Sequence, residues 1–210
     1  MDNRILELFN NSEISKKIQR KLPKLFQLAE LESQRAGKIG MEVGSVREKI
    51  IVSLLIYKFG EENVETEIPI TEPEVDVKLF GNPISIKTKS GNSLSGVKIS
   101  WTVDAQTADE FKNNYYPACD MIYVQVNWGR IGRLYYFPKD VQREVLNLMG
   151  KENYIKLPSL GTNPRGVEIT SKALQTLINH KNSYNIEIEW EKEEVTFNAF
   201  KRWIDLWEQE

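Results

Sequence analysis

From Val64 to Lys89 the chain alternates apolar and polar residues around a Gly81-Asn82 dipeptide, which reads as a β-hairpin with its incoming strands. Val64, Thr66, Ile68 and Ile70 alternate with Glu65 and Glu67. Val75, Val77 and Leu79 alternate with Glu74, Asp76 and Lys78, and the return run sets Ile84 and Ile86 against Ser85, Lys87 and Lys89. With Gly81-Asn82 as a two-residue turn, Lys78 pairs with Ser85, Asp76 with Lys87 and Glu74 with Lys89. All six then lie on one face, while Val77 and Ile86 point to the other. Two acids and two lysines converge on one patch of sheet.

Helices surround this core. Residues 12–35 read as helix, with Ile14, Ile18 and Leu22 recurring every four positions. Pro23 is expected to open a second helical stretch carrying Leu25, Phe26, Leu28 and Leu31. Lys16, Lys17, Arg20, Lys21 and Lys24 crowd the remaining positions, as a solvated face or one turned to phosphates. A glycine-punctuated loop spans residues 36–44, and Ser45–Phe59 reads as a helix too apolar to lie on a surface. Downstream come a strand at 97–103, a helix capped by Asp104 and running to about Tyr115, and strands at 121–128 and 134–137. A helix from Pro138 to Met149, a loop at 157–169, a helix after Ser171, a strand at 184–190 and a last helix from about Phe197 complete the chain. This order predicts a mixed α+β (α/β) fold, a central mixed sheet flanked by helices. With 210 residues and no repeat or linker, one domain is expected over 1–210.

Composition narrows the chemistry. One cysteine, Cys119, and one histidine, His180, exclude a disulfide framework, a cysteine-rich zinc module and any two-histidine metal site. Carboxylates, lysines and hydroxyls remain. No run of 18 apolar residues and no signal-peptide pattern occurs, so a cytoplasmic protein without a membrane partner is expected. The net charge of -2 hides uneven blocks: +4 over residues 1–60, -6 over 61–80, +5 over 81–186 and -5 over 187–210. An acidic block between two basic ones suits a metal site beside a polyanion. On the hairpin face two readings stand open. Opposite charges across strands stabilise many solvated sheets. Alternatively, Asp76 binds a hard cation and Lys87 orients or deprotonates a water and balances phosphate charge.

Glu74-Val-Asp76, the short hairpin, Ser85-Ile-Lys87 and an upstream helix bearing Glu48 together resemble the PD-(D/E)XK nuclease superfamily. In that pattern an Asp begins the second strand of the hairpin core and an acidic-x-Lys triplet lies on the next. The run from Ile86 through Gly91, and Gly96 through Asp104, is similar to type II restriction endonucleases of the ThaI-like group. The resemblance implies hydrolysis of double-stranded DNA by a homodimer at a short palindrome, with one or two Mg2+ ions per active site. It makes residues 1–44 a helical arm and loop, 45–140 the catalytic core and 141–210 a DNA-contacting and helical region. A repair or junction nuclease with the same core, or an inactive DNA-binding domain, is the alternative.

One position departs from the pattern: Ser85 stands where the superfamily has an acid. The metal implied by the resemblance therefore needs Asp76 with Glu74 or Glu48. Ser45-x-x-Glu48 also reads as a capping box, so cap and ligand both stay open for Glu48. Lys89 lies on the same face, for a phosphate or for Glu74. Arg165 suits bidentate contact with guanine and Asn163 suits adenine or a phosphate, although Asn-Pro and Arg-Gly also form ordinary turns. Met41, between Gly40 and Gly44, fills a core gap or acts as a wedge between base steps. Trp101, Trp128, Tyr115, Tyr116, Tyr135 and Tyr136 are expected in the core.

Overall fold

The computed structural model describes residues 4–35, 38–40, 42–69, 71–72, 74–159, 161 and 165–209. Helix α1 (Glu7–Asn10) leads into α2 (Ser12–Glu32), whose cap Asn11 accepts the N–H groups of Glu13 and Ile14 at 3.0 and 3.3 Å. Instead of restarting at Pro23, α2 runs through it. A proline in mid-helix forfeits one backbone bond. Here Leu22, Pro23 and Phe26 are all buried, and that packing holds the helix together. A small ribbon of β1 (Gln34–Arg35) and β2 (Lys38–Ile39) occupies part of the expected glycine loop. Helix α3 (Val43–Phe59) follows, starting two residues before Ser45.

The expected strand over 64–70 shrinks to β3 (Val64–Glu65), and the hairpin consists of β4 (Val77–Leu79) and β5 (Asn82–Ser90). Then come β6 (Val97–Thr102), α4 (Ala105–Asn114), β7 (Asp120–Val126), β8 (Ile131–Phe137) and α5 (Lys139–Met149). Asp104 caps α4 as expected, its Oδ1 accepting the Thr107 N–H at 2.7 Å. After α6 (Lys151–Tyr154) and β9 (Ile155–Lys156), β10 (Arg165–Ile169) forms where a loop was expected. Helix α7 (Ser171–Ile178), β11 (Tyr184–Glu189) and α8 (Lys201–Trp207) end the chain. Among the described residues no helix is long and apolar enough to cross a membrane.

The central sheet has the order β11-β8-β7-β5-β4-β3, with β5 and β7 parallel and the other neighbours antiparallel. Period-two alternation gives each face its own core. Val77, Ile86, Ile122, Val124 and Leu134 meet Ile18, Leu22, Phe26, Ile51 and Leu55 of α2 and α3. Met121, Tyr123, Tyr135 and Phe137 face the opposite way, against α4, α5, α7 and the small sheet β6-β10-β9. Ser85 and Lys87 of β5 point to this second side, at its margin.

A buried ion pair locks the first layer. Arg47 of α3 and Glu30 of α2 are 3% and 4% exposed, with NH2 and Oε1 2.5 Å apart. Trp128 Nε1 donates to the same oxygen at 2.7 Å, Lys192 lies 3.1 Å from the other, and Arg47 NH1 donates to Ser90 Oγ at 3.0 Å. The network ties two helices to the end of β5. Removing one partner of such a pair strands a buried charge, which costs about 3–5 kcal/mol. Glu30→Ala or Arg47→Ala is expected to lower the urea unfolding free energy by about that amount. The double variant Glu30→Leu, Arg47→Met should recover most of the loss. Additive losses in the double variant would show that the two side chains act independently.

Candidate active site

The hairpin turns one position earlier than the Gly-Asn dipeptide suggests. Val77 pairs with Ile84, Lys78 with Pro83 and Leu79 with Asn82, so Phe80-Gly81 are the two turn residues. Both have positive φ, 50° and 77°, as a tight hairpin turn of this type requires. Phenylalanine adopts that conformation unwillingly. Its ring is held edge-on by Phe59 at 5.7 Å and covered by the Arg4 guanidinium at 3.2 Å, contacts that hold the turn in place. Continuing this register sets Asp76 across from Ser85 rather than Lys87, and Glu74 across from Lys87 rather than Lys89.

At Asp76 the two strands part. Its N–H donates to Ile84 O at 3.0 Å, one residue out of the β4–β5 register. Its side chain then takes the place of the next backbone acceptor, with Oδ2 receiving the Ile86 N–H at 2.5 Å. The same oxygen accepts from Ser85 Oγ at 3.3 Å and from Lys87 Nζ at 3.2 Å. Three donors on one oxygen fix the carboxylate, and among the described residues none takes Oδ1. Ser85 is 3% exposed, so its hydroxyl serves to orient Asp76.

Two further carboxylates complete the constellation. Glu48 is pushed up to about 7, chiefly by burial and then by the charge of Asp76, with Lys87 opposing. Burial likewise pushes Glu74 up to about 7, again opposed by Lys87. The structure therefore brings Asp76, Lys87, Ser85, Glu48 and Glu74 together. It removes the capping box: Ser45 lies inside α3 and is exposed, and the helix start has no side-chain cap. Glu48 sits in the second turn, free of that duty. Glu74, Ser85, Tyr115 and Cys119 line one small cleft, and burial together with Glu74 pushes the Cys119 thiol up to about 12. Tyr115 and Cys119 have no spacing relation to Glu74 in the sequence; the β5–β7 pairing brings them there.

Could these residues hold a cation? Asp76 offers an undonated oxygen, and the two glutamates resist ionisation chiefly because they are partly buried, with Lys87 opposing. Among the described residues no cluster of three His, Cys, Asp or Glu side chains encloses a metal site. Such a donor set fits a small hard cation that keeps most of its waters and takes only one or two carboxylates.

Other expected contacts are dispersed. Lys89 does not pair with Glu74: its ammonium packs over Gly96, 2.9 Å from where a Cβ would stand, in a stretch shared with Glu168. Glu168 in turn holds Lys98 at 3.4 Å and Lys156 at 3.2 Å. Met41 and Asn163 lie outside the described residues, and Arg165 is described only by its backbone, as the residue of β10 paired with Thr102. Tyr115, Tyr135 and Tyr136 are buried and Trp128 packs edge-on against Trp190, as expected for core aromatics. Trp101 and Tyr116 lie outside the core instead, being 57% and 50% exposed. Trp101 lies on β6, across from Gly166 on β10, and the Lys98 ammonium stands over its ring, 4.9 Å from the centroid.

Comparison with known proteins fits this geometry. Residues 8–209 match the family model described as Restriction endonuclease ThaI. A solved structure described as a restriction endonuclease in complex with substrate DNA is 57% identical, with a TM-score of 0.91, over 97% of this chain and 98% of that one. No curated protein matches. A splayed hairpin bearing Asp76 and Lys87, within a match that spans almost the whole length, makes this chain a member of the ThaI family of type II restriction endonucleases.

Proposed function

We propose that this endonuclease cuts both strands of a short palindromic DNA site as a homodimer in the cytoplasm, with magnesium, and that Asp76, Lys87 and Glu48 or Glu74 carry the chemistry. One observation bears most of the weight: Asp76 is held through a single oxygen by Ser85, Ile86 and Lys87. Two cores built on the faces of one sheet support reading residues 1–210 as a single nuclease domain.

Asp76 would bind the cation, one or two ions per site, with Glu48 or Glu74 as the second carboxylate. When bound, magnesium supplies Lewis-acid stabilisation of phosphate charge and a more acidic water. Lys87 stands beside Asp76, 3.2 Å away, and both side chains are only partly exposed. Its ammonium orients the water for in-line attack and offsets the charge that builds on the phosphate oxygens. Ser85 acts through Asp76, by holding its carboxylate in one orientation. Lys89 contacts the backbone further along the same face. Arg165, Asn163 and Met41 are assigned to the DNA beyond the scissile phosphate. A palindrome has two-fold symmetry and each chain offers one site, so two copies cut the two strands.

Plasmid DNA incubated with magnesium should give discrete fragments that disappear with EDTA. Asp76→Ala and Lys87→Ala are each expected to lower the cleavage rate by about 10²–10⁴-fold, with circular dichroism unchanged. An active Asp76→Ala enzyme would remove this assignment.

The glutamates predict a pH dependence of stability as well. Glu48 and Glu74 titrate near 7 in the folded chain against 4.5 ordinarily. Their stabilising contribution is thus complete below 4.5 and lost as pH rises through 7. In urea the metal-free protein should weaken between about pH 5 and about pH 8, and magnesium should restore more stability at the higher pH. Glu48→Gln combined with Glu74→Gln should flatten both trends. An unchanged slope would mean that neither glutamate titrates in this range.

A further inference from the structure

Helix α8 has no buried residue. Phe200, Trp203, Ile204 and Trp207 follow the spacing i, i+3, i+4, i+7, which sets them on one stripe, yet they are 71%, 56%, 47% and 90% exposed. A helix this short is marginal without packing, and an apolar stripe of this kind marks a contact surface.

The same molecule carries a matching surface. Ile18, Leu22 and Leu25 of α2 and Ile50, Leu54 and Tyr57 of α3, each set spaced i, i+4, i+7, line an open apolar groove. Ile18 and Leu22 form its floor, while Leu25 and Tyr57 stand at 39% and 60% exposure. Each stripe spans about 10 Å along its helix, as does the stripe of α8. Lys17 and Lys21 rim the groove, and residues 16–24 carry five cations and no acid. The tail is of opposite sign, with six acids and three cations over residues 191–210. Between Glu193, which Gln27 and Lys24 of α2 hold, and α8, seven residues give a reach of up to about 23 Å.

We propose that two copies exchange their C-terminal arms, α8 of each lying in the α2–α3 groove of the other. This inference rests on the homodimer reading above and names the surface that makes the dimer. Exchange of identical arms gives a closed two-fold contact, in which each copy supplies both a stripe and a groove.

Light-scattering mass measurements on full-length variants test it. Wild type should be dimeric, and Trp203→Glu in the arm and Leu25→Glu in the groove should each be monomeric, with dimerisation weakened at least about tenfold. Mixed in equal amounts, the two variants should form a heterodimer through their one intact stripe and groove. Tyr57→Glu repeats the groove test at a still more exposed position, should Leu25→Glu fail to fold. A dimeric wild type whose arm or groove variant stays dimeric would overturn the exchange alone, leaving the homodimer standing. So would two monomeric variants that do not combine. A monomeric wild type would overturn the homodimer reading and this inference with it.

Discussion

Residues Ile84–Ser90 of β5 lie parallel to Asp120–Val126 of β7, and most of the architecture follows from that pairing. Parallel neighbours cannot be joined by a tight turn, so a crossover is required. Residues 91–119 provide it, and their strand β6 and helix α4 cover one face of the sheet. The N-terminal helices cover the other. With both faces closed, β7 reads as a nearly unbroken apolar run from Met121 to Val124. Strand β5 keeps Ser85, Lys87 and Lys89 on one side all the same, and that side meets Glu74, Asp76 and Glu48. Polar residues persist there because they satisfy one another: Ser85 and Lys87 both donate to the Asp76 carboxylate.

Much of this was legible without coordinates. Alternation marked the hairpin strands, and the expected meeting of Asp76 with Lys87 survives as a 3.2 Å contact although the register shifts by two residues. What could not be read is tertiary in origin. Asn82 is the better intrinsic candidate for a left-handed turn position, but Phe59 and Arg4, distant in sequence, settle the matter for Phe80. Pro23 looked like a helix start, yet burial on both sides of it carries α2 through. Ser45 and Glu48 had the spacing of a cap, whereas α3 begins earlier, with Arg47 anchored by Glu30 and Ser90. Strand β10 was missed because only five residues pair, next to turn-forming Asn-Pro. The partition of charge was informative from the start: the acidic block holds Glu74 and Asp76, and the basic run that follows holds Lys87 and Lys89.

Electrostatics and packing divide the labour in this molecule. Glu30 and Arg47 are buried and paired with each other, which fixes α3 against α2 and, through Ser90, against β5. One residue on, Glu48 is partly buried, is opposed only in part by the charge of Lys87 and remains reluctant to ionise. Adjacent positions on one helix thus hold a spent charge and an unspent one. The first gives rigidity and the second leaves a demand for cations.

The Phe80-Gly81 turn makes the hairpin a counting device. Side chains change faces with every residue, so inserting or deleting one residue between Asp76 and Ser85 would turn Asp76 inward to the place of Val77 and bring an apolar side chain out beside Lys87. Homologous chains are therefore held to the number of turn residues, and at Gly81 to a residue that accepts positive φ. Length variation among relatives should be confined to the outer loops, and the interval from Asp76 to Lys87 should behave as a fixed ruler.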